Sequence, residues 1–203
     1  MKKIDNFEQI KSLLKFEDNL DDFYFLQIIK RRKENQDMNS NSSVVKTYYV
    51  TSVDYLEKKK DEIIMFCEKS NARACISLNK RSFKKIAFHT LKKVTEQICN
   101  NDFHSVRNAY DKACGAYSSE TDKNWIIDLD GDCAKNIDRY IYIIEQCKPY
   151  GDKFFYKIET PNGLHLISKP FNVSEFQDML KMEKLEAPDI HKNNPTILYY
   201  KKP

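Results

Sequence analysis

Asp128 and Asp130 stand two residues apart inside the apolar run Trp125, Ile126, Ile127 and Leu129. In a β-strand, residues at i and i+2 point to one face, so this spacing sets two carboxylates side by side. Like charges that close repel, and removing either from water is costly. A divalent cation relieves both penalties and gives the pair a chemistry. Carboxylate oxygens suit Mg2+ or Mn2+, and two such ions about 3.5–4 Å apart can clamp the oxygens of a phosphoryl transfer. Two further groups extend the set. His165 follows Asp130 by 35 residues, in "TPNGLHL", and Asp189 follows by another 24, in "PDIHK". Each sits at an expected strand end or turn, where a rigid scaffold can make side chains converge. Singly, each also has a plainer explanation. Asp128 and Asp130 with Gly131 and Asp132 would serve as a strand end and turn, His165 as a structural histidine, and Asp189 after Pro188 as a turn start.

The elements that must carry these groups are readable from periodicity and punctuation. Residues 4–16 have apolar positions at helical spacing. "DDFYFLQIIKR" and "VVKTYYV" read as strands flanking the polar loop "ENQDMNSNSS". Ser52 is placed to cap a helix running to about Glu68, with Tyr55, Leu56, Ile63, Ile64 and Phe66 as its apolar members. "ARACISLN" predicts a strand, Ser82 caps a helix to about Cys99, and another helix lies between Phe103 and Cys114, ending at Gly115. After the strand of Asp128 comes a helix over "NIDRYIYIIEQC", stopped by Pro149 and Gly151. "KFFYKIET" and "LHLISKP" are strands about the tight turn Pro161-Asn162-Gly163. A helix over 173–183 precedes a final strand pair, "PDIHK" and "TILYY", around Asn193-Asn194-Pro195. The alternation predicts an α/β fold with hairpins in the second half.

The bulk composition bounds the rest. A chain of 203 residues can bury one sizeable core, and 41% hydrophobic with 32% charged residues describes a globular domain. The net charge of +4 permits a polyanionic partner, and the cations cluster, as at Lys30-Arg31-Arg32-Lys33 and Lys58-Lys59-Lys60. Six scattered cysteines without CxxC or Cys/His spacing point to reduced thiols in a cytoplasmic protein and show no zinc module. No signal peptide is visible, and the apolar runs are too short to span a membrane. Four glycines and the lack of GxGxxG and GxxxxGK[ST] argue against a glycine-rich phosphate loop.

Taken in order, "IIDLD", "TPNGLH" and "DIHK" leading to Tyr199 resemble the archaeo-eukaryotic primase superfamily, and within it the primase-polymerase domains of plasmids, phages and mobile elements. Asn162 and Leu164 stand where that family's turn often has glycine or serine. The resemblance implies one domain: an N-terminal α/β subdomain over about 1–120 abutting an RRM-like catalytic sheet over about 121–203. It implies a template-dependent nucleotidyltransferase, a DNA primase or primase-polymerase, in a bacterial cell or encoded by a phage or plasmid. Its partners would be single-stranded DNA, or RNA, and nucleoside triphosphates. A helicase or priming module, which these residues do not encode, would act in trans. Asp128, Asp130 and Asp189 would be catalytic and hold two Mg2+ or Mn2+ ions. His165 would contact the incoming nucleotide, with Thr160 and Gly163 shaping its turn and Lys169 and Lys192 adding charge. Arg31, Arg73 and Arg81 are weaker candidates for phosphate or template contacts. Two other functions fit the same residues: a metal-dependent nuclease, and a non-catalytic module that binds nucleotide or nucleic acid.

Overall fold

The computed structural model describes residues 2–17, 21–118, 121 and 123–202. Among these, two antiparallel sheets and eight helices form a mixed α/β architecture. The first part of the chain runs β1 (Lys3–Asp5), α1 (Phe7–Leu13), β2 (Asp22–Arg31), β3 (Ser42–Val50), α2 (Val53–Ser70), β4 (Arg73–Ile76) and β5 (Arg81–Ser82). Helices α3 (Phe83–Cys99), α4 (Phe103–Val106) and α5 (Ala109–Ala116) follow. Then come β6 (Trp125–Asp130), α6 (Asp132–Lys135), α7 (Ile137–Gln146), β7 (Tyr156–Glu159), β8 (Gly163–Ser168), α8 (Val173–Glu183), β9 (Asp189–His191) and β10 (Thr196–Lys201). The boundary expected near residue 120 falls beside residues 119, 120 and 122, outside the described set. No helix among the described residues is long and apolar enough to cross a membrane.

The helix starts follow their caps. Ser52 Oγ accepts from Tyr55 N at 3.0 Å, Ser82 Oγ from Lys85 N at 3.0 Å, and Asn172 Oδ1 from Ser174 N and Glu175 N. Each satisfies an amide that the helix itself leaves unpaired. Asn71 ends α2 in the left-handed region, which asparagine tolerates.

The smaller sheet has the order β7-β8-β6-β9, all antiparallel. Its chain path is β-α-β-β-α-β, with β8 inserted between β6 and β7 and with β9 added beyond β6. One face of this sheet carries Ile127, Leu129 and Leu166 against Tyr140, Ile143 and Ile144 of α7 and Phe176 and Leu180 of α8. The other face carries Ile126, Ile158 and Ile167, which belong to the same core as Leu26, Ile28, Tyr48, Ile76 and Tyr199 of the larger sheet. That larger sheet has the order β1-β10-β4-β2-β3, with β5 paired to β2. Polar clasps join the two sheets. Asn124 N donates to Asn79 Oδ1 at 2.7 Å, and Asn79 Nδ2 returns a bond to Asn124 O at 2.9 Å. Asn6 Nδ2 bonds both Glu159 O and Ile197 O.

Three sequence expectations are corrected. The helix expected over 4–16 is a strand followed by a seven-residue helix: the exposed-buried-exposed triplet Lys3-Ile4-Asp5 pairs with Tyr199–Lys201. The helix expected between Phe103 and Cys114 is broken at Arg107 and Asn108, and Gly115 lies inside α5 instead of ending it. The expected final pair does not exist, because β9 pairs with β6 while β10 runs between β1 and β4. The reason is burial. Thr196 to Tyr200 are all buried, which demands cover on both faces and neighbours on both edges. A two-stranded hairpin cannot supply that.

Candidate active site

β6 is the centre of the site, since it is flanked on both sides. Its Asp128 is directly opposite His165 of β8 and directly opposite Asp189 of β9. Residues opposite one another on antiparallel strands share a face with Cβ atoms about 4.5–5.5 Å apart. One row therefore reads Ile158, His165, Asp128, Asp189 across four strands, and Asp130 stands one pleat further on the same face. This is the face that carries Ile126 and looks toward the larger sheet. The three carboxylates and the imidazole are thus brought together.

The next row explains Gly163. It pairs with Asp130, and a Cβ built on it would meet Leu129 O at 2.1 Å. Only glycine lets β8 approach β6 that closely. Thr160 locks the turn behind it. Its Oγ1 accepts from Gly163 N at 3.0 Å and its own N–H donates to Gly163 O at 3.0 Å. Thr160 is buried, so its part is to shape the turn. Gly131, directly after Asp130, takes φ 56°, the left-handed region that favours glycine, and turns the chain away from the carboxylates.

Electrostatically the row is under load. Asp128 is half-buried, and its carboxyl is held above the usual carboxylate range first by burial, then by the charge of Asp130, with Asp189 adding to it. His191 and Arg31 pull in the opposite direction. Asp130 and Asp189 are exposed. His165 keeps only 12% of its side chain in solvent, and burial pushes its pKa down to about 4. It is therefore neutral near pH 7, and its contact with Asp128, Nε2 to Oδ1 at 3.6 Å, is not an ion pair. His165 Nδ1 lies 2.8 Å from Thr196 Oγ1, on a fully buried threonine of β10. With that hydroxyl donating to Nδ1, the ring proton sits on Nε2 and faces the carboxylates. The sequence offered no signal for Thr196, because it reaches the site from the other sheet. His191 was also passed over, and the register places it opposite Ile126 on the carboxylate face.

The lysines and two of the arginines lie elsewhere. Lys169 falls just past the end of β8 and bonds Asn124 Oδ1 at 3.1 Å, beside the Trp125 end of β6. Four residues of strand put it about 13 Å from His165. Lys192 stacks its Nζ 4.8 Å over the Trp125 ring, and Trp125 alternates onto the helix-covered face of the sheet. Neither reaches the carboxylate row. Arg73 is paired with Glu34 and lies over the Tyr200 ring. Arg81 is 1% exposed and donates to the carbonyls of Cys114 and Asn79, so it holds the fold together and cannot touch a template. Arg31 differs. It is exposed at the end of β2, lines a cavity of about 450 Å3 with Arg32, Lys33 and Asn41, and its charge is felt at Asp128.

Among the described residues, no three carboxylate, imidazole or thiol side chains are already gathered tightly enough to ligate one ion. The donor chemistry nevertheless fits a hard divalent cation: three carboxylates on one face, one of them with its proton affinity raised by burial and then by the charges of the other two. Comparison with protein-family models, curated proteins and solved structures gives no match.

Proposed function

We propose that the chain is a template-dependent nucleotidyltransferase of the primase or primase-polymerase kind, joining nucleoside triphosphates at the Asp128 row. The observation that carries this reading is the register. Asp189 and His165 flank Asp128 on neighbouring strands, with Asp130 one pleat away. The β-α-β-β-α-β path of the smaller sheet supports an RRM-like catalytic sheet, and with it the archaeo-eukaryotic primase superfamily. Asp128, Asp130 and Asp189 would hold Mg2+ or Mn2+, which supplies neutralisation of the charge on the triphosphate and on the attacking oxygen. The protein's own groups do the rest. Neutral His165, oriented by Thr196, presents an Nε2–H to a phosphate oxygen. Arg31, whose charge is felt at Asp128 and which lines a cationic pocket with Arg32 and Lys33, would contact phosphates of the nucleotide or template.

The test is incorporation of labelled nucleotide on primed and unprimed single-stranded DNA, with Mg2+ or Mn2+ and either ribo- or deoxynucleoside triphosphates. Wild type should extend, and Asp128→Asn should lose at least about a hundredfold, the cost of removing a group on which charge stabilisation rests. No incorporation under any of these conditions overturns the reading. Release of nucleotides from DNA without added triphosphate would replace it with a nuclease.

A further inference from the structure

Helix α3 has two apolar faces, and the fold covers only one. Ile86 packs inward with Phe23, Phe25, Ala113 and Cys114. Outward, Phe88 is 65% exposed, Leu91 64% and Ile98 48%. With Thr95 they fall at spacings of three, four and three residues, the a and d positions of a heptad. A seam this narrow is the coiled-coil pattern and not the broad apolar face that membrane-surface helices bury. Solvent gives these side chains no return, and nothing else among the described residues shields them.

The flanks specify the occupant. In the same heptad frame Lys85 and Lys92 take two of the three e positions, Cys99 the last, and both lysines are exposed. Lys84, one heptad before Leu91, takes the d position at the start of the seam and adds a third cation there, and Glu96 is the helix's single acid. Lys92 reaches Glu96 only at 3.9 Å, with both side chains mostly in solvent, so that contact leaves its charge available. Residues at e pair with the g residues of a partner helix and set its charge. A second copy packed antiparallel would bring lysines to the same border, and one packed parallel would set Ala87 and Val94 at g against them without a counter-charge. Nucleic acid would satisfy the lysines but not the apolar seam.

We propose that α3 is a docking seam for an acidic amphipathic helix of another protein, with apolar a and d residues facing Phe88, Leu91 and Ile98 and glutamate or aspartate facing Lys85 and Lys92. This seam is independent of the nucleotidyl-transfer reading.

The test uses the full chain and two synthetic three-heptad peptides with isoleucine at a and leucine at d, one bearing glutamate and the other lysine at e and g. Binding is read by fluorescence anisotropy. The glutamate peptide should bind wild type, weaken steeply with salt, and bind Leu91→Ser at least about tenfold more weakly. Lys85→Glu with Lys92→Glu should reverse the preference in favour of the lysine peptide. Because Leu91 is mostly exposed, Leu91→Ser should keep the melting temperature and any incorporation activity of wild type. Failure of the glutamate peptide to bind at up to millimolar concentration, or equal binding of both peptides, overturns the proposal. So does displacement of the peptide by single-stranded DNA or by phosphatidylserine vesicles. Sedimentation showing a wild-type dimer that Leu91→Ser dissociates would assign the seam to a second copy instead.

Discussion

Replacing Gly163 by alanine adds one methyl group at the point where β8 runs closest to β6. That carbon would lie 2.1 Å from Leu129 O, 2.9 Å from Asp130 Cα and 3.0 Å from Leu129 C. All three atoms are backbone, so no side chain can swing aside. Ordinary contact would require the strands to separate by more than about 1 Å. The strands cannot part freely. β6 is held on its other edge by β9, and the turn before Gly163 is bonded to Thr160. Overpacking of this kind costs about 1–3 kcal/mol, and loss of the last ladder bond adds about 1 kcal/mol. The lower entropy of the unfolded alanine chain returns about 0.4–1 kcal/mol. A net loss of about 1–3.6 kcal/mol should lower the melting temperature by about 2–14 °C in a chain of this size. Because Asp130 is the residue displaced, incorporation should fall as well, even at temperatures where the variant is folded. Gly115→Ala is the control. A Cβ there meets nothing within 4 Å, and inside α5 it should be neutral or stabilising by up to about 1 kcal/mol. Thermal and urea unfolding of both variants decide the matter. A Gly163→Ala protein that melts with wild type would refute the packing argument.

Asp128→Asn should stabilise the metal-free protein at pH 7 by about 0.5–2 kcal/mol, the range for relieving an unfavourable charge contact. The sign follows from the raised carboxyl: the native state binds that proton more tightly than the unfolded chain, so ionised Asp128 is a penalty above its folded pKa. The penalty disappears as pH falls through that value toward 3.8, so the variant's advantage should shrink there; an advantage independent of pH would count against the account. Thr196→Val should leave His165 Nδ1 buried without a donor and cost about 1–3 kcal/mol, while Thr196→Ser keeps the hydroxyl. Nitrogen chemical shifts of the His165 ring should report one tautomer in wild type and the serine variant. An unchanged tautomer in the valine variant would show that Thr196 does not set it.

What could be read in the sequence is what depends on short-range physics. Period-two alternation put Asp128 and Asp130 on one face, and Pro161-Asn162-Gly163 marked the hairpin that delivers His165. The serines that start α2 and α3 were equally local signals, and α8 occupies the span expected of it. Partners that lie far apart in the chain could not be read. Asp189 was expected in a hairpin with the following strand, yet it completes the row by pairing with Asp128, 61 residues earlier. Lys192 was assigned to phosphate on charge alone, whereas the Trp125 ring that holds it is on the other face of the sheet. Arg81 shows the same limit. A guanidinium that serves distant carbonyls looks, in sequence, like one that serves a polyanion.

The placement of β10 has a consequence for how the protein is made. β1 is synthesised first, yet its partner is β10, with Lys3 opposite Lys201, and β4 borders the same late strand. The hairpin of β2 and β3 with β4 can form early, but the middle of the larger sheet stays open until residues 196–201 leave the ribosome. Since chains grow at about 5–20 residues per second, β1 and one edge of β4 wait for many seconds with unpaired amides. The smaller sheet, contained within residues 125–191, can close before then. The nascent chain should therefore carry its carboxylate row before it has a finished larger sheet to face it. A released chain truncated just before residue 196 would expose a protease-sensitive N-terminal strand beside an already protected second sheet.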